Sequence, residues 1–414
     1  MIASPRSVSV FDLETARLPA PRDPGASLRL LDITKYFGPD SGGIKTYLTA
    51  KAEWLRGQPG VSQVLVIPGA HDGVSDGPPR TYQIRGPRMP GQRTYRWLLD
   101  TRKLRRILEH ERPTLIELGS SLLVPAVTRW ASRGLDIPTV WFYHTHLPRI
   151  VNPAGSHGPV WRRIVEQLAW WHVRRTAAAS SATFAASETI AAELERHGVH
   201  SVRRVRLGVD LDRFHPDRRI RTAELRRRMQ LPAGPLAVFA GRFTPEKQLE
   251  TVLAAWDQVR ARTGAALVLL GHGPIEPSLR SRFSQDGIFW RSFETDRSRV
   301  ADLLAAADCY IAPGPSETFG LSALEALASG TPVLSVDTGG TAELVANSGA
   351  GRLYQLGDVA GCVAQAVELL GGAAASLRIQ ARAYAESRHA WPVVLADLLD
   401  QYRGVLSAPS LAVR

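Results

Sequence analysis

Short apolar runs that end in glycine or polar residues alternate with helical patterns along most of this 414-residue chain, and the series starts over once. The first series holds "LRLLDIT" (28–34), "VSQVLVIPG" (61–69), "TLIELGS" (114–120) and "IPTVWFYHTH" (137–146), with helical stretches between them such as "YRWLLDTRKLRRILEHER" (95–112). The second opens at "PLAVFAGRF" (235–243) and continues through "AALVLLGHG" (265–273), "DCYIAPG" (308–314) and "TPVLSVDTGG" (331–340), again with helices between. Strands that are apolar throughout are buried on both faces, and the intervening helices are the crossovers that bury them. The expected fold is α/β: two doubly wound, Rossmann-like domains facing each other across a cleft. The join falls near "RLGVDLDRFHPDRR" (206–219). That division gives a Pro-rich leader at 1–27, a first domain at 28–207, a second at 208–390, and a C-terminal helix at 391–414 able to cross back onto the first.

Ligands of such sheets bind beyond the carboxyl ends of the strands. Facing sheets therefore gather the loops "SGGIKTY", "YHTHLPR", "GRFTPEK", "LGHGP" and "PGPSETFG" around one cleft. Gly42 and Gly43 precede a helix and let the backbone approach a ligand, although an ordinary glycine turn reads the same way. The spacing is not the G-x-G-x-x-G of a dinucleotide site, which argues against a redox enzyme. Arg242 and Lys247 lie on one strand-to-helix loop, where two cations suit a diphosphate, or where Lys247 pairs with Glu246 or Glu250. In "SETFGLSALEALASG" the amides of Phe319, Gly320 and Leu321 open a helix that favours phosphate. Glu317 and Glu325 then stand on either side of it as acceptors for sugar and ribose hydroxyls, or as surface acids. His144 and His146 end a strand and share a face, without a third metal ligand nearby.

Composition narrows the setting. No apolar run reaches the ~18–20 residues that span a bilayer, and the first residues carry acids and prolines where an export signal would be apolar. A cytoplasmic protein is expected, with Cys309 and Cys362 as buried thiols. The formal charge is +12, and residues 1–200 hold 26 Lys and Arg against 17 Asp and Glu. That bias fits an anionic partner or an arginine-solvated surface. Neither a zinc finger nor an aromatic-and-basic RNA signature accompanies it, so nucleic acid is not expected.

Taken in order, "SGGIKTY", "FYHTHLP", "AASETIAAEL", "RLGVDLDRF", "GRFTPEKQLETVL", "LVLLGHGP" and above all "SETFGLSALEALASGTPVLSVDTGGTAELV" resemble the retaining glycosyltransferases of family 4, which share the GT-B fold. The resemblance runs from about residue 28 to 401 and includes the E-x7-E element. It implies that Arg242 and Lys247 hold the donor diphosphate, that Glu317 contacts the transferred sugar beside Phe319, Gly320 and Leu321, and that Glu325 binds the ribose. Gly42 and Gly43 would lie against the phosphates from the other domain, Gly271 would join the donor set, and His144 would face the sugar. Acceptor-side candidates are Lys45, His146 and Arg149. No metal or other cofactor is implied, and Asp210 and Asp212 belong to the "GVDLDRF" join. One departure is Leu207, where many members carry Asn.

The expected reaction is transfer from a nucleoside-diphosphate sugar, GDP favoured over UDP, with retention by same-face attack. The acceptor is a lipid, a glycan or a small molecule such as a natural product or thiol. A peripheral contact with the inner membrane face through the basic helix at 95–112 is one option, and a solvated basic face the other. A nucleotide-sugar 2-epimerase and a non-catalytic nucleotide-sugar binder are the competing classes.

Overall fold

The computed structural model describes residues 9–10, 13–15, 18–38, 41–90, 95–151, 158–283, 286–372 and 374–408. Part of the leader, Pro39 and Asp40 of "GPDSGG", and the C-terminal residues from 409 onward lie outside them. Two sheets organise the rest. The first has nine strands in the order Ser9–Val10, Gly73–Ser75, Arg80–Arg85, Val61–Gly69, Leu28–Ile33, Leu115–Leu118, Thr139–Phe142, Ala182–Ala185, Val202–Arg204. It is parallel except where Gly73–Ser75 pairs with its two neighbours. The second has six parallel strands in the order Ile288–Arg291, Ala266–Leu270, Leu236–Ala240, Cys309–Ala312, Val333–Val336, Gly351–Tyr354.

Central strands such as Leu115–Leu118 and Ala266–Leu270 are buried at every residue, because helices cover both faces. Arg80–Arg85 buries only alternate residues, and the edge strand Ile288–Arg291 is half-buried throughout. Neither therefore carries a continuous apolar run in the sequence. Each sheet reverses its winding beside its first long strand: Leu28–Ile33 lies between Val61–Gly69 and Leu115–Leu118, and Leu236–Ala240 between Ala266–Leu270 and Cys309–Ala312. Cavities for ligands form at such reversals.

One helix differs from expectation. The segment 95–112 is helical only over Thr101–Glu111, where the Asp100 side chain caps the start by accepting from the Lys103 amide at 3.0 Å. Three of the helix's four Lys and Arg side chains have partners within the protein: Lys103 pairs with Asp72 at 2.9 Å, Arg105 with Glu109 at 2.8 Å, and Arg106 donates to the Leu13 carbonyl, while Arg102 is exposed. Part of the basic face read as a membrane contact thus meets the protein's own acceptors.

The last helix, Trp391–Ser407, packs against the helix Gly43–Leu55 of the first half, burying Val394, Leu395, Leu398, Leu399, Tyr402 and Val405. The chain is pinned where it turns back, since the Val209 amide donates to the His389 carbonyl at 2.8 Å. Both cysteines are buried and free.

Candidate active site between the two sheets

Two helices start at the cleft without a side-chain cap. Gly42 precedes Gly43–Leu55, and Gly320 precedes Leu321–Ala328. A β-carbon built on Gly43 would lie 2.9 Å from Leu321 Cδ1, so the two helix starts nearly touch. Each presents amides with no intrahelical partner and the positive end of a helix dipole. Their convergence makes a place for an anion. Gly320 is required there: its φ is +93°, and a β-carbon would come within 2.3 Å of Thr341 Oγ1. Behind it, the Gly340 amide donates to the Glu317 carbonyl at 2.7 Å, so "TGG" (338–340) braces the loop that carries the glutamate.

The cations stand on the neighbouring loop. Lys247 is ion-paired with Glu317, both half-buried, while Glu246 accepts from the Thr244 hydroxyl at 2.7 Å. Arg242 is exposed and donates to Tyr95 Oη at 3.2 Å, with its guanidinium 5.6 Å from the Tyr95 ring centre. Ser41 also donates to that oxygen, at 3.3 Å. Tyr95 therefore links the first glycine loop to Arg242, a role that no local spacing announces. Gly271 has a different reason to be glycine from the donor contact expected of it. Its φ is +147°, and a β-carbon would meet the Gly241 carbonyl oxygen at 1.9 Å, so it is needed where two strand ends pack.

Glu325 is buried, not a surface acid, and is ion-paired with Arg297, whose guanidinium lies 5.2 Å from the Phe214 ring centre. Burial pushes its carboxyl up, and Arg297 partly offsets this. Asp210 accepts from the Arg213 amide at 2.9 Å and so shapes the turn at the join. Among the described residues, no three His, Cys, Asp or Glu side chains converge as metal ligands.

On the facing half, His144 stacks on Phe142 with ring centres 4.1 Å apart, and its carbonyl accepts from Thr318 Oγ1 at 3.0 Å. Burial pushes its imidazole down to about 4, so the ring is neutral near pH 7. His146 does not face the cleft as an acceptor contact would. It is buried, 3.1 Å from Glu193 Oε1 and edge-on to Trp170. Arg149, a further acceptor-side candidate, donates to the Pro315 carbonyl at 2.5 Å and pairs with Glu193 at 3.0 Å, so it ties the first half to the loop of the second. Lys45 lies on the first turn of Gly43–Leu55.

The structure adds residues that motif reading missed. Beneath His144, the buried Lys51 ammonium contacts Asp32 at 2.6 Å, Glu117 at 3.0 Å and Tyr402 Oη at 3.0 Å. Acids inside the apolar runs "LRLLDIT" and "TLIELGS" were the available signal. At the first reversal point, Lys35 is 2% exposed, with one long hydrogen bond to the Ser121 carbonyl at 3.5 Å and the Tyr36 and Trp97 ring centres 5.0 Å away. Burial pushes its ammonium down to about 8.

Comparison with known proteins matches this arrangement to one group. The family model described as "Glycosyltransferase Family 4" matches residues 41–213, and that described as "Glycosyl transferases group 1" matches 234–371. A GDP-mannose-dependent alpha-(1-6)-phosphatidylinositol dimannoside mannosyltransferase of Mycobacterium tuberculosis is 34% identical over 78% of this chain and 83% of its own length. A GDP-mannose-dependent alpha-mannosyltransferase of the same species is 29% identical over 91% and 97%. Among solved structures, sucrose-phosphate synthase from Thermosynechococcus elongatus superposes with a TM-score of 0.75 at 20% identity, over 92% of this chain and all of that one, a likeness of fold. With two parallel-sheet halves joined around paired helix starts, the chain belongs to glycosyltransferase family 4 and has the GT-B fold.

Proposed function

We propose that this glycosyltransferase moves mannose from GDP-mannose to a phosphatidylinositol-based or similar lipid-linked acceptor, with retention of configuration and without a metal ion. The observation that carries the reading is the meeting of two uncapped helix starts, at Gly43 and Leu321, beside Lys247 and Arg242. In sugar transfer the bond between the anomeric carbon and the phosphate oxygen breaks, and negative charge grows on the departing diphosphate. Fixed amides and cations that meet that charge lower the barrier without moving a proton. Such an array does the work a divalent cation would otherwise do, which supports a metal-free reaction.

Glu317 and Lys247 form an ion pair in the protein described here. A bound donor would take each partner separately, its phosphate meeting the lysine and its sugar hydroxyls the carboxylate. Glu325, the second member of E-x7-E, would accept from the ribose while Arg297 holds it charged. His144, neutral near pH 7, offers the sugar a hydrogen bond without adding charge beside the developing oxocarbenium carbon. The departing phosphate would take the acceptor's proton on the face from which it leaves, which gives retention. GDP is supported by the relatives, whose names specify GDP-mannose. An anionic lipid acceptor is supported by the same names and by Lys35, a nearly buried cation at the acceptor-side reversal point.

The test is transfer of radiolabelled mannose from GDP-mannose to detergent-solubilised phosphatidylinositol mannosides. Lys247→Ala and Glu317→Ala should each lower turnover about 100-fold or more, and the new linkage should be α by NMR. Use of UDP-glucose in place of GDP-mannose would refute the donor assignment, and a β linkage would refute retention.

A further inference from the structure

The helix Pro159–Ala178 is apolar on the side that faces away from the protein. Its inner face, with Ala169, Trp170, Val173 and Ala177, is buried in the core of the first half. Its outer face carries Val160, Trp161, Ile164, Leu168 and Trp171, which are 72%, 55%, 42%, 59% and 53% exposed. At about 100° per residue these five fall within an arc of roughly 100°, a continuous stripe. From Val160 to Leu168 every residue but Val165 is exposed, so about 13 Å of helix stands off the body, at ~1.5 Å per residue. A helix apolar on both sides is normally covered on both.

The composition around the stripe identifies the cover. Arg163 borders it and Arg175 lies within it, its guanidinium 5.5 Å from the Trp171 ring centre, while Arg174 beside them donates to the His197 carbonyl at 3.4 Å. On the helix Leu123–Ala131, Trp130 is 60% exposed with the Arg133 guanidinium 4.2 Å from its ring centre. Tryptophan with an apolar body and a polar edge, beside arginines able to reach upward to phosphates, suits the interfacial zone of a bilayer.

The surface is continuous with the acceptor side of the cleft. His172, on the same helix, accepts from the Leu122 amide at 3.1 Å and lies within the field of Lys35. Ile150, exposed on the short helix Leu147–Val151, packs beside it, next to Arg149 and its contact with Pro315.

We infer that the outer face of Pro159–Ala178 docks this protein on an anionic lipid bilayer, burying Trp161, Ile164, Leu168 and Trp171 at the headgroup boundary so that the acceptor side of the cleft opens at the membrane. The inference deepens the reading of a lipid-linked acceptor and rests on it.

The test is flotation of the full chain with vesicles of phosphatidylcholine alone, or of phosphatidylcholine mixed equally with phosphatidylinositol. The wild type should float with the anionic vesicles, and less so in high salt. The variant Ile164→Gln/Leu168→Gln/Trp171→Gln should bind about tenfold more weakly or worse. Arg163→Gln/Arg175→Gln should lose most of the preference for anionic vesicles. Transfer to detergent-solubilised acceptor should be unchanged in both, which shows that they fold. Unimpaired flotation of the apolar variant overturns the inference, as does a wild type that never floats. A wild-type dimer that becomes monomeric in the apolar variant also overturns it, assigning the stripe to a second copy. Flotation as expected without any mannosyl transfer leaves the docking surface standing and removes the proposed reaction.

Discussion

Lys51 is the residue on which the interior of the first half turns. It is fully buried between Asp32 and Glu117, so two carboxylates share one ammonium, with the Tyr47 and Tyr402 hydroxyls completing the shell. Burial pushes Asp32 up to about 7. Burial also acts to raise Glu117, but Lys51, the Tyr402 hydroxyl and His144 outweigh it and hold that carboxyl below its ordinary range. Lys51→Met would strand both carboxylates in the core and should cost about 3–5 kcal/mol near neutral pH. Stranded carboxylates take up protons, so the loss should be smaller at about pH 5 than at about pH 8 in urea titrations. An equal loss at both would mean that the cluster is not charged as described. The wild type carries two opposed pH dependences. Asp32, with its pKa raised, stabilises fully below its ordinary value and loses that contribution as pH rises through about 7. His144 and His389, both pushed down to about 4 by burial, stabilise above their ordinary value and lose that contribution as pH falls toward 4. Below about pH 8 the urea midpoint should therefore be highest near pH 7, where these opposed contributions meet. Lys35, its ammonium pushed down to about 8, adds a contribution that grows above about pH 8, so the check on Asp32 lies lower. Asp32→Asn should remove the falling contribution and steepen the rise of the midpoint between about pH 4 and 6, and an unchanged slope would contradict the raised Asp32.

Elements were legible from the sequence in proportion to how evenly they are buried. "LRLLDIT" and "AALVLLGHG" announce themselves because crossover helices cover both faces of Leu28–Ile33 and Ala266–Leu270. "RTYQIR" does not, because only one face of Arg80–Arg85 is covered. The segment 95–100 reads as helix from its aromatic and leucine content, yet tertiary contacts take Tyr95 to Arg242 and leave Asp100 as the cap. The final helix shows how an element can belong to the half it is not contiguous with. Trp391–Ser407 buries six side chains, several against Gly43–Leu55, and carries Tyr402 into the Lys51 cluster. At about 1.5–3 kcal/mol for each buried side chain, its removal forfeits roughly 9–18 kcal/mol, as much as the net stability of about 5–15 kcal/mol of a typical domain. A chain ending at Ala390 should therefore give no cooperative thermal transition by circular dichroism and collect as aggregate. A truncated protein melting within a few degrees of the full chain would show that the first half does not depend on this helix.

The two halves are held together around one short loop, and it is the loop that carries Glu317. Arg149 donates to the Pro315 carbonyl at 2.5 Å, Ser187 Oγ to the Thr318 carbonyl at 2.8 Å, and Thr318 Oγ1 to the His144 carbonyl at 3.0 Å. Glu343 adds a fourth tie by accepting from the Thr189 amide at 2.8 Å. The residues proposed to meet the donor were legible as a group because Arg242, Lys247, Glu317 and the Gly320 helix start lie within two continuous loops. The ties were not, since each joins residues more than a hundred positions apart and leaves no local spacing to read. If Glu317 meets the donor as proposed, their placement couples closure to that contact, because whatever moves the first half away also pulls on 315–318. At about 0.5–1.5 kcal/mol per hydrogen bond, Arg149→Ala/Ser187→Ala/Thr318→Val together should weaken the closed arrangement by roughly 1.5–4.5 kcal/mol. The unliganded variant should show a larger radius of gyration than the wild type by small-angle X-ray scattering, and it should contract when GDP-mannose is added. Donor affinity should fall about tenfold or more, since binding must then supply the closure that the ties supply in the wild type. Lys247→Ala should also lose donor affinity, but at an unchanged radius, which separates a lost contact from a lost closure. A triple variant with the dimensions of the wild type and only its donor affinity reduced would show that the loop binds locally and that the ties do not set the distance between the halves.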